Sequence, residues 1–265
     1  MPVRIRRIHM RIVIKIGTST LTHRTGHLNI RRVETLCKVI SDIKNAGAEV
    51  IMVSSGAIGM GVGKLGLKER PKDIPSKQAA AAVGQCELMY IYDQQFTTYH
   101  HTVAQMLITG ADIENEKNYT NFYNTITRLL EYGALPIINE NDTVATDEIV
   151  IGDNDTLGAI VARSVDADLL ILLSDINGLY TADPRKDPDA KLIPVVFGVT
   201  DDIKKLAGDP GSALGTGGMV TKLRAAEICA ESGCDMVIAN GKEPELLYDI
   251  VEGKQIGTRF YAGKK

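Results

Sequence analysis

The chain has 265 residues, 44% of them hydrophobic and 24% charged, with a formal net charge of −3. That length allows one large core or two closely joined lobes. The near-neutral balance gives no broad cationic field of the kind nucleic acid or an anionic membrane would need. No apolar run reaches the roughly 18 residues of a membrane span. Cys37, Cys86, Cys229 and Cys234 form no C-x-x-C pair, so buried reduced thiols in a cytoplasmic protein are expected rather than a disulfide framework or a zinc set.

Residues 1–10 carry Arg4, Arg6 and Arg7 but lack the apolar segment of a signal peptide. After them, short apolar runs alternate with longer amphipathic ones, which predicts parallel βαβ architecture. Strands are expected at 11–16, 49–53, 103–108, 135–138, 169–173 and 236–239, mostly Val, Ile and Leu with little polar alternation. That is the pattern of a sheet covered by helices on both faces. Helical periodicity falls at 30–46, 76–99, 119–132, 156–165 and 219–232, with Gly47, Gly133 and Gly233 placed as C-caps. A modest break near Asp166 suggests a lobe boundary within one continuous sheet.

Three glycine-rich loops adjoin these elements: Lys15-Ile16-Gly17-Thr18-Ser19, Ser54-Ser55-Gly56-Ala57-Ile58-Gly59, and the stretch from Gly215 to Lys222 that opens a helix. Glycine lets backbone N–H groups approach a ligand, and a helix N-terminus adds partial positive charge, so such loops at strand ends suit phosphate. Two similar patterns fail. Gly61-Val62-Gly63-Lys64-Leu65-Gly66 matches G-x-G-x-x-G but lies well beyond its strand. The 215–222 loop has its lysine after Thr221 rather than after glycine, so it is no P-loop.

The densest polar cluster is Asn139, Asn141 and Asp142, followed by Asp153, Asn154 and Asp155 at the start of a helix. One N-cap explains Asp153 or Asn154 but not all six. Carboxylates and amides in that number suit an ammonium group and the orientation of basic residues. With lysines in two glycine-rich loops they suggest phosphoryl transfer, which depends on positioning and charge neutralisation. His100 and His101 are expected to be plain loop residues. Residues 181–185 are expected to form a loop on the nucleotide side, and 68–77 a solvated loop, with a mobile flap as the weaker reading.

Taken together, V-I-K-I-G-T-S (13–19), V-S-S-G-A-I (53–58), I-N-E-N-D-T-V-A-T (138–146), G-D-N-D-T-L (152–157), S-D-I-N-G-L-Y-T-A-D-P-R (174–185) and G-T-G-G-M-V-T-K (215–222) resemble the amino acid kinase family over nearly the whole chain. The 138–146, 152–155 and 215–222 segments are similar to the narrower group that phosphorylates L-glutamate. The resemblance implies an α/β fold, a three-layer αβα sandwich around a mostly parallel sheet. It also implies a single domain over 1–265, with an acceptor-binding lobe at about 1–165 and a nucleotide-binding lobe at about 166–265.

The implied reaction passes the ATP γ-phosphoryl group to the γ-carboxylate of L-glutamate, the first step of proline biosynthesis. Lys15 and Lys222 would flank the phosphoryl group with Asp155 bracing both, and Gly17 and Gly56 would offer N–H groups to its oxygens. Ser55, Gly56, Asp142 and Asn154 would bind glutamate. Lys15, Gly17, Ser174, Asp175, Thr216, Gly217, Gly218, Met219, Val220, Thr221 and Lys222 would hold the nucleotide. Magnesium would come bound to ATP, without a protein cage. The resemblance further implies a homo-oligomer, proline as feedback inhibitor, and a functional link to the reductase that consumes glutamyl phosphate. Many bacterial members carry an extra C-terminal PUA-type domain, which this protein is expected to lack. Ser174 stands where relatives often carry threonine. Rival readings are a kinase for another small acid, such as acetylglutamate or aspartate, and an amino-acid sensor without catalysis.

Overall fold

The computed structural model describes residues 10–23, 27–145, 153–207 and 218–263. Eight strands form one sheet: β1 (Arg11–Ile16), β2 (Glu49–Ser54), β3 (Val103–Ile108), β4 (Leu135–Glu140), β5 (Leu169–Ser174), β6 (Val195–Phe197), β7 (Asp235–Asn240) and β8 (Thr258–Tyr261). Their order is β3-β4-β2-β1-β5-β7-β8-β6, and every pairing is parallel except β7 with β8. Pro136, which cannot donate a hydrogen bond, sits at the start of β4, and the β2–β4 ladder begins only at Ile137.

The helices are α1 (Thr18–Leu21), α2 (Ile30–Asn45), α3 (Ala57–Lys64), α4 (Ile74–Thr97), α5 (Gly110–Glu114), α6 (Glu116–Glu131), α7 (Asn154–Ser164), α8 (Asp201–Leu206), α9 (Met219–Ser232) and α10 (Leu246–Val251). Polar side chains start the main ones. Asn29 accepts from Arg32 N at 3.2 Å, Asp73 from Ser76 N at 2.9 Å, and Asp153 from Thr156 N at 2.7 Å. Gly233 closes α9 at φ 76°, the left-handed C-cap anticipated by the sequence.

Side chains alternate along β1 into two separate cores. Ile12, Ile14 and Ile16 pack with α2, α4 and α10, while Val13 packs with α6, α7 and α9. This is the expected αβα sandwich. The six expected strands and five expected helices are all present, with ends moved by three residues at most.

Several elements lie outside those expectations. β6 and β8 extend the sheet, and α3 occupies the stretch containing the G-x-G-x-x-G pattern. Cys37, Cys229 and Cys234 are buried, but Cys86 is exposed, which corrects the expectation for that thiol. His100 and His101 fall between α4 and β3 as expected, His100 at φ 62°. Among the described residues, no helix is long and apolar enough to cross a membrane.

Candidate active site

β1 and β5 lie side by side at the middle of the sheet. The chain moves outward one way through β2 and the other way through β7. In an open parallel sheet, the crevice outside the carboxyl ends at such a switch point is where ligands bind. Two cavities open there, one of about 370 Å³ and one of about 600 Å³. The first draws on the ends of β1, β2, β4 and β5, and the second on those of β5 and β7.

At the centre stand three charges from three elements. Lys15, on the α7 face of β1, runs its stem past Gly158, where an added Cβ would lie 3.4 Å from the Lys15 Cβ. The ammonium thereby reaches Asp155, one helical turn back, with Nζ 2.7 Å from Oδ1. Lys222, in the first turns of α9, places its Nζ 2.9 Å from Oδ2 of the same carboxylate. Thr221 Oγ1 donates to Oδ2 as well, at 3.0 Å. The side chains of Lys15, Lys222 and Asp155 are 11%, 5% and 1% exposed. Burial pushes the Asp155 carboxyl upward, but the two ammonium groups outweigh it and hold the acid below the usual carboxylate range. Asp155 also lies in the first turn of α7, where the helix dipole favours an anion.

The smaller cavity is lined on one side by Ser55 and Gly56 and on another by Asn139, Glu140, Asp142 and Asn154. Asn154 Nδ2 donates to Ser55 Oγ at 2.8 Å and to Asn139 Oδ1 at 3.1 Å, and Asn139 Nδ2 donates to Gln85 Oε1 at 2.9 Å. The Asn154 Oδ1 is buried and finds no donor among the described residues. A buried acceptor left in that state calls for a ligand donor or water. Burial raises the Asp142 carboxyl above its ordinary value, partly offset by the charge of Arg70. Gly56 holds φ 109° as N-cap of α3, a backbone that a side chain would strain, and aims the amino end of that helix at the cavity.

The larger cavity is walled by Asp175, Tyr180, the 182–185 loop, Gly218, Met219, Asn240 and Lys242. Its volume falls within the range of about 300–1,000 Å³ typical of small-molecule sites. Asp175 and Lys222 are the residues that line both cavities.

The structure therefore brings Lys15, Ser55, Gly56, Asp142, Asn154, Asp155, Ser174, Asp175, Gly218, Met219 and Lys222 to one crevice. It also amends several expectations. Gly17 lines the smaller cavity, but its N–H is committed to Leu173 O at 3.2 Å, because the chain leaves β1 still hydrogen-bonded to β5. Ser174 faces the smaller cavity rather than the larger. Val220 points out to solvent, and Thr221 turns to Asp155 and lines neither cavity. Thr216 and Gly217 lie outside the described residues.

Arg70, Asn240 and Lys242 were not singled out by the sequence. Asn240 ends β7 and Lys242 lies just beyond it, at the carboxyl end of a strand parallel to β5, a placement that could have found them. Arg70 sits in the charged stretch expected to be a solvated loop, with a mobile flap as the weaker reading; part of it, from Ile74, is already α4. Among the described residues, no group of three or more His, Cys, Asp or Glu is placed to hold a metal ion.

A sheet of this topology with two lysines bridged by one acid at its switch point is the architecture of a phosphotransferase, and the chain belongs to the amino acid kinase family. The sequence profile described as "Amino acid kinase family" matches residues 10–240. Solved structures share the fold: carbamate kinase from Giardia lamblia bound to AMP-PNP (TM-score 0.68, 20% identity, 96% of this chain and 99% of that one) and UMP kinase from Ureaplasma parvum (TM-score 0.65, 17% identity, 96% and 99%).

Within the family, the chain is similar to glutamate 5-kinases. It is 54% identical to that of Clostridium perfringens, with 96% of both chains covered. It is also 54% identical to that of Caldanaerobacter subterraneus subsp. tengcongensis, covering 95% of this chain and 68% of the relative.

Proposed function

We propose that the protein transfers the γ-phosphoryl group of ATP to the γ-carboxylate of L-glutamate, the reaction that opens proline biosynthesis. The observation that carries this reading is the Lys15–Asp155–Lys222 cluster, set where the two cavities meet in a chain that is similar over 96% of its length to a glutamate 5-kinase. The relatives' shared name favours glutamate over acetylglutamate or aspartate, and the intact charge cluster favours catalysis over a sensor.

Glutamate occupies the smaller cavity, built mainly from the N-terminal part, and ATP the larger, built from the C-terminal part. The ammonium of glutamate meets Asp142 and the open acceptor of Asn154, with Ser55 alongside. Its γ-carboxylate is already an anion, so no general base is needed. A carboxylate oxygen bonds to the γ-phosphorus as the bond to the bridging β-phosphate oxygen breaks, and ADP leaves.

Lys15 and Lys222 neutralise the oxygens in flight, and the amino end of α3 at Gly56 adds to their field. Asp155 keeps the two ammonium groups from swinging apart. Magnesium enters on the phosphate oxygens of ATP. Ser174, Asp175, Gly218 and Met219 border the phosphate path. A cytoplasmic homo-oligomer, inhibited by proline and working ahead of a reductase that consumes the labile acyl phosphate, completes the proposal.

The decisive assay supplies Mg-ATP and hydroxylamine with a panel of acids and measures hydroxamate against ADP. Glutamate should give both in equal amount, with aspartate and acetylglutamate far behind. Silence with glutamate while another acid reacts would overturn the acceptor assignment.

A further inference from the structure

We propose that Arg70 grips the α-carboxylate of the acceptor, making the smaller cavity selective for α-amino dicarboxylates. This deepens the glutamate reading above and rests on it. Among the described residues, the cations lining this cavity are Lys15, Lys222 and Arg70. The first two converge on Asp155 at the reaction point. An acceptor carrying one ammonium and two carboxylates must leave one carboxylate at those lysines to react. The ammonium is drawn to Asp142 and the open Asn154 Oδ1.

A second carboxylate in the same cavity then needs a cation apart from the lysine pair, on the Asp142 side, because its α-carbon also bears the ammonium. Arg70 meets that requirement, since its charge is felt at Asp142 and opposes the effect of burial there. A guanidinium fork can donate to both carboxylate oxygens at once, which a lysine cannot match.

The backbone supports such a placement. The end of α3 is closed by Leu67 N–H to Val62 O at 3.0 Å, and α4 is started by Asp73, which accepts from Ser76 N at 2.9 Å. Arg70 sits midway along the short span between these anchors. Its side chain is exposed to solvent yet lines the cavity, so it is available to a ligand.

The test compares wild type, Arg70→Ala and Arg70→Lys in steady-state kinetics with L-glutamate, and in binding of L-glutamate and its α-amide, L-isoglutamine. Loss of a charge-assisted pair of this kind should raise the KM for glutamate about 10- to 100-fold. kcat should stay within about threefold and the KM for ATP should be unchanged, with Arg70→Lys recovering part of the loss. Isoglutamine lacks the α-carboxylate, so Arg70→Ala should weaken its binding no more than about twofold.

An unchanged KM for glutamate in an active Arg70→Ala enzyme overturns the proposal. So does an equal loss for glutamate and isoglutamine, which would mean that Arg70 acts through Asp142 alone. A wild-type enzyme that ignores glutamate would instead defeat the acceptor reading beneath it.

Discussion

Lys15 and Lys222 reach Asp155 from elements far apart in sequence, and removing each member leaves a different charge behind. In Lys222→Met the carboxylate keeps Lys15 as its counter-ion, and methionine fills most of the stem's volume. Folding should therefore survive with a loss of about 1 kcal/mol. The transition state loses one of two cations, so kcat should fall by about 10²–10³, as when a preorganised donor to a developing anion is removed. Thermal unfolding and kcat measured on the same preparation separate the two effects.

Asp155→Asn should behave oppositely, leaving two buried ammonium groups without their shared acid, at a cost of about 3–5 kcal/mol. Because Asp155 is held below its ordinary value, its stabilising effect is complete above an unfolded value of about 4. It fades as pH falls through the lower folded value. Urea midpoints of wild type and variant should thus be well separated at pH 7 and converge on acidification below about pH 4. A gap that stays constant down to pH 2 would show that Asp155 does not titrate in this environment.

At the level of elements, α3 and α4 cross so closely that no Cβ fits between them. One added at Gly61 would lie 1.8 Å from Ala80 O, and one at Gly84 would lie 1.7 Å from Ala57 O. These helices frame the smaller cavity. The amino end of α3 opens onto it. α4 carries Gln85, which holds Asn139, and Tyr92, whose hydroxyl sits 2.8 Å from Ser54 Oγ. Gly84→Ala must push the helices apart, costing about 1–3 kcal/mol as overpacking does. It should also raise the KM for glutamate more than that for ATP. Chemical denaturation and the two KM values are the measurements; a variant with wild-type values for all three would mean the helices slide apart without cost.

Glycine also explains why α3 was hidden from the sequence. It is a poor helix former, so Gly59, Gly61 and Gly63 disguise a helix in which Gly61 serves close packing. The long Val/Ile/Leu strands were legible because both of their faces are buried. β6 and β8 were not, being three and four residues long at the edge of the sheet with mixed burial. The charge cluster was legible because its members sit beside glycine-rich turns or in a crowd of amides. Arg70 was not, because an exposed arginine among other charges carries no local mark of the cavity it borders.

Over the whole molecule, the question is whether the expected boundary near Asp166 separates units that can stand alone. The sheet argues against it. β1 pairs with β5 through five consecutive residues, from Ile12–Leu169 to Ile16–Leu173, so a cut at that boundary exposes a buried, mostly apolar strand on each side. Beneath that seam, α7 from the first part and α9 from the second share one core through Leu157, Val161, Leu223 and Ala226. The reaction centre straddles the same line, with Asp155 and Lys15 on one side and Lys222 on the other. Residues 10–165 produced alone would present a bare strand edge and an unpartnered helix face, which favours aggregation over a cooperative fold. Neither half by itself should show a sigmoidal unfolding transition or any hydroxamate formation. Co-expression of 10–165 with 166–265 should restore a soluble complex, with activity returning only in that complex, since only there do both lysines meet the same acid. A first half that unfolds cooperatively on its own would mean that the two parts of the sheet are independent domains, and that the site is an interface between them rather than the middle of one fold.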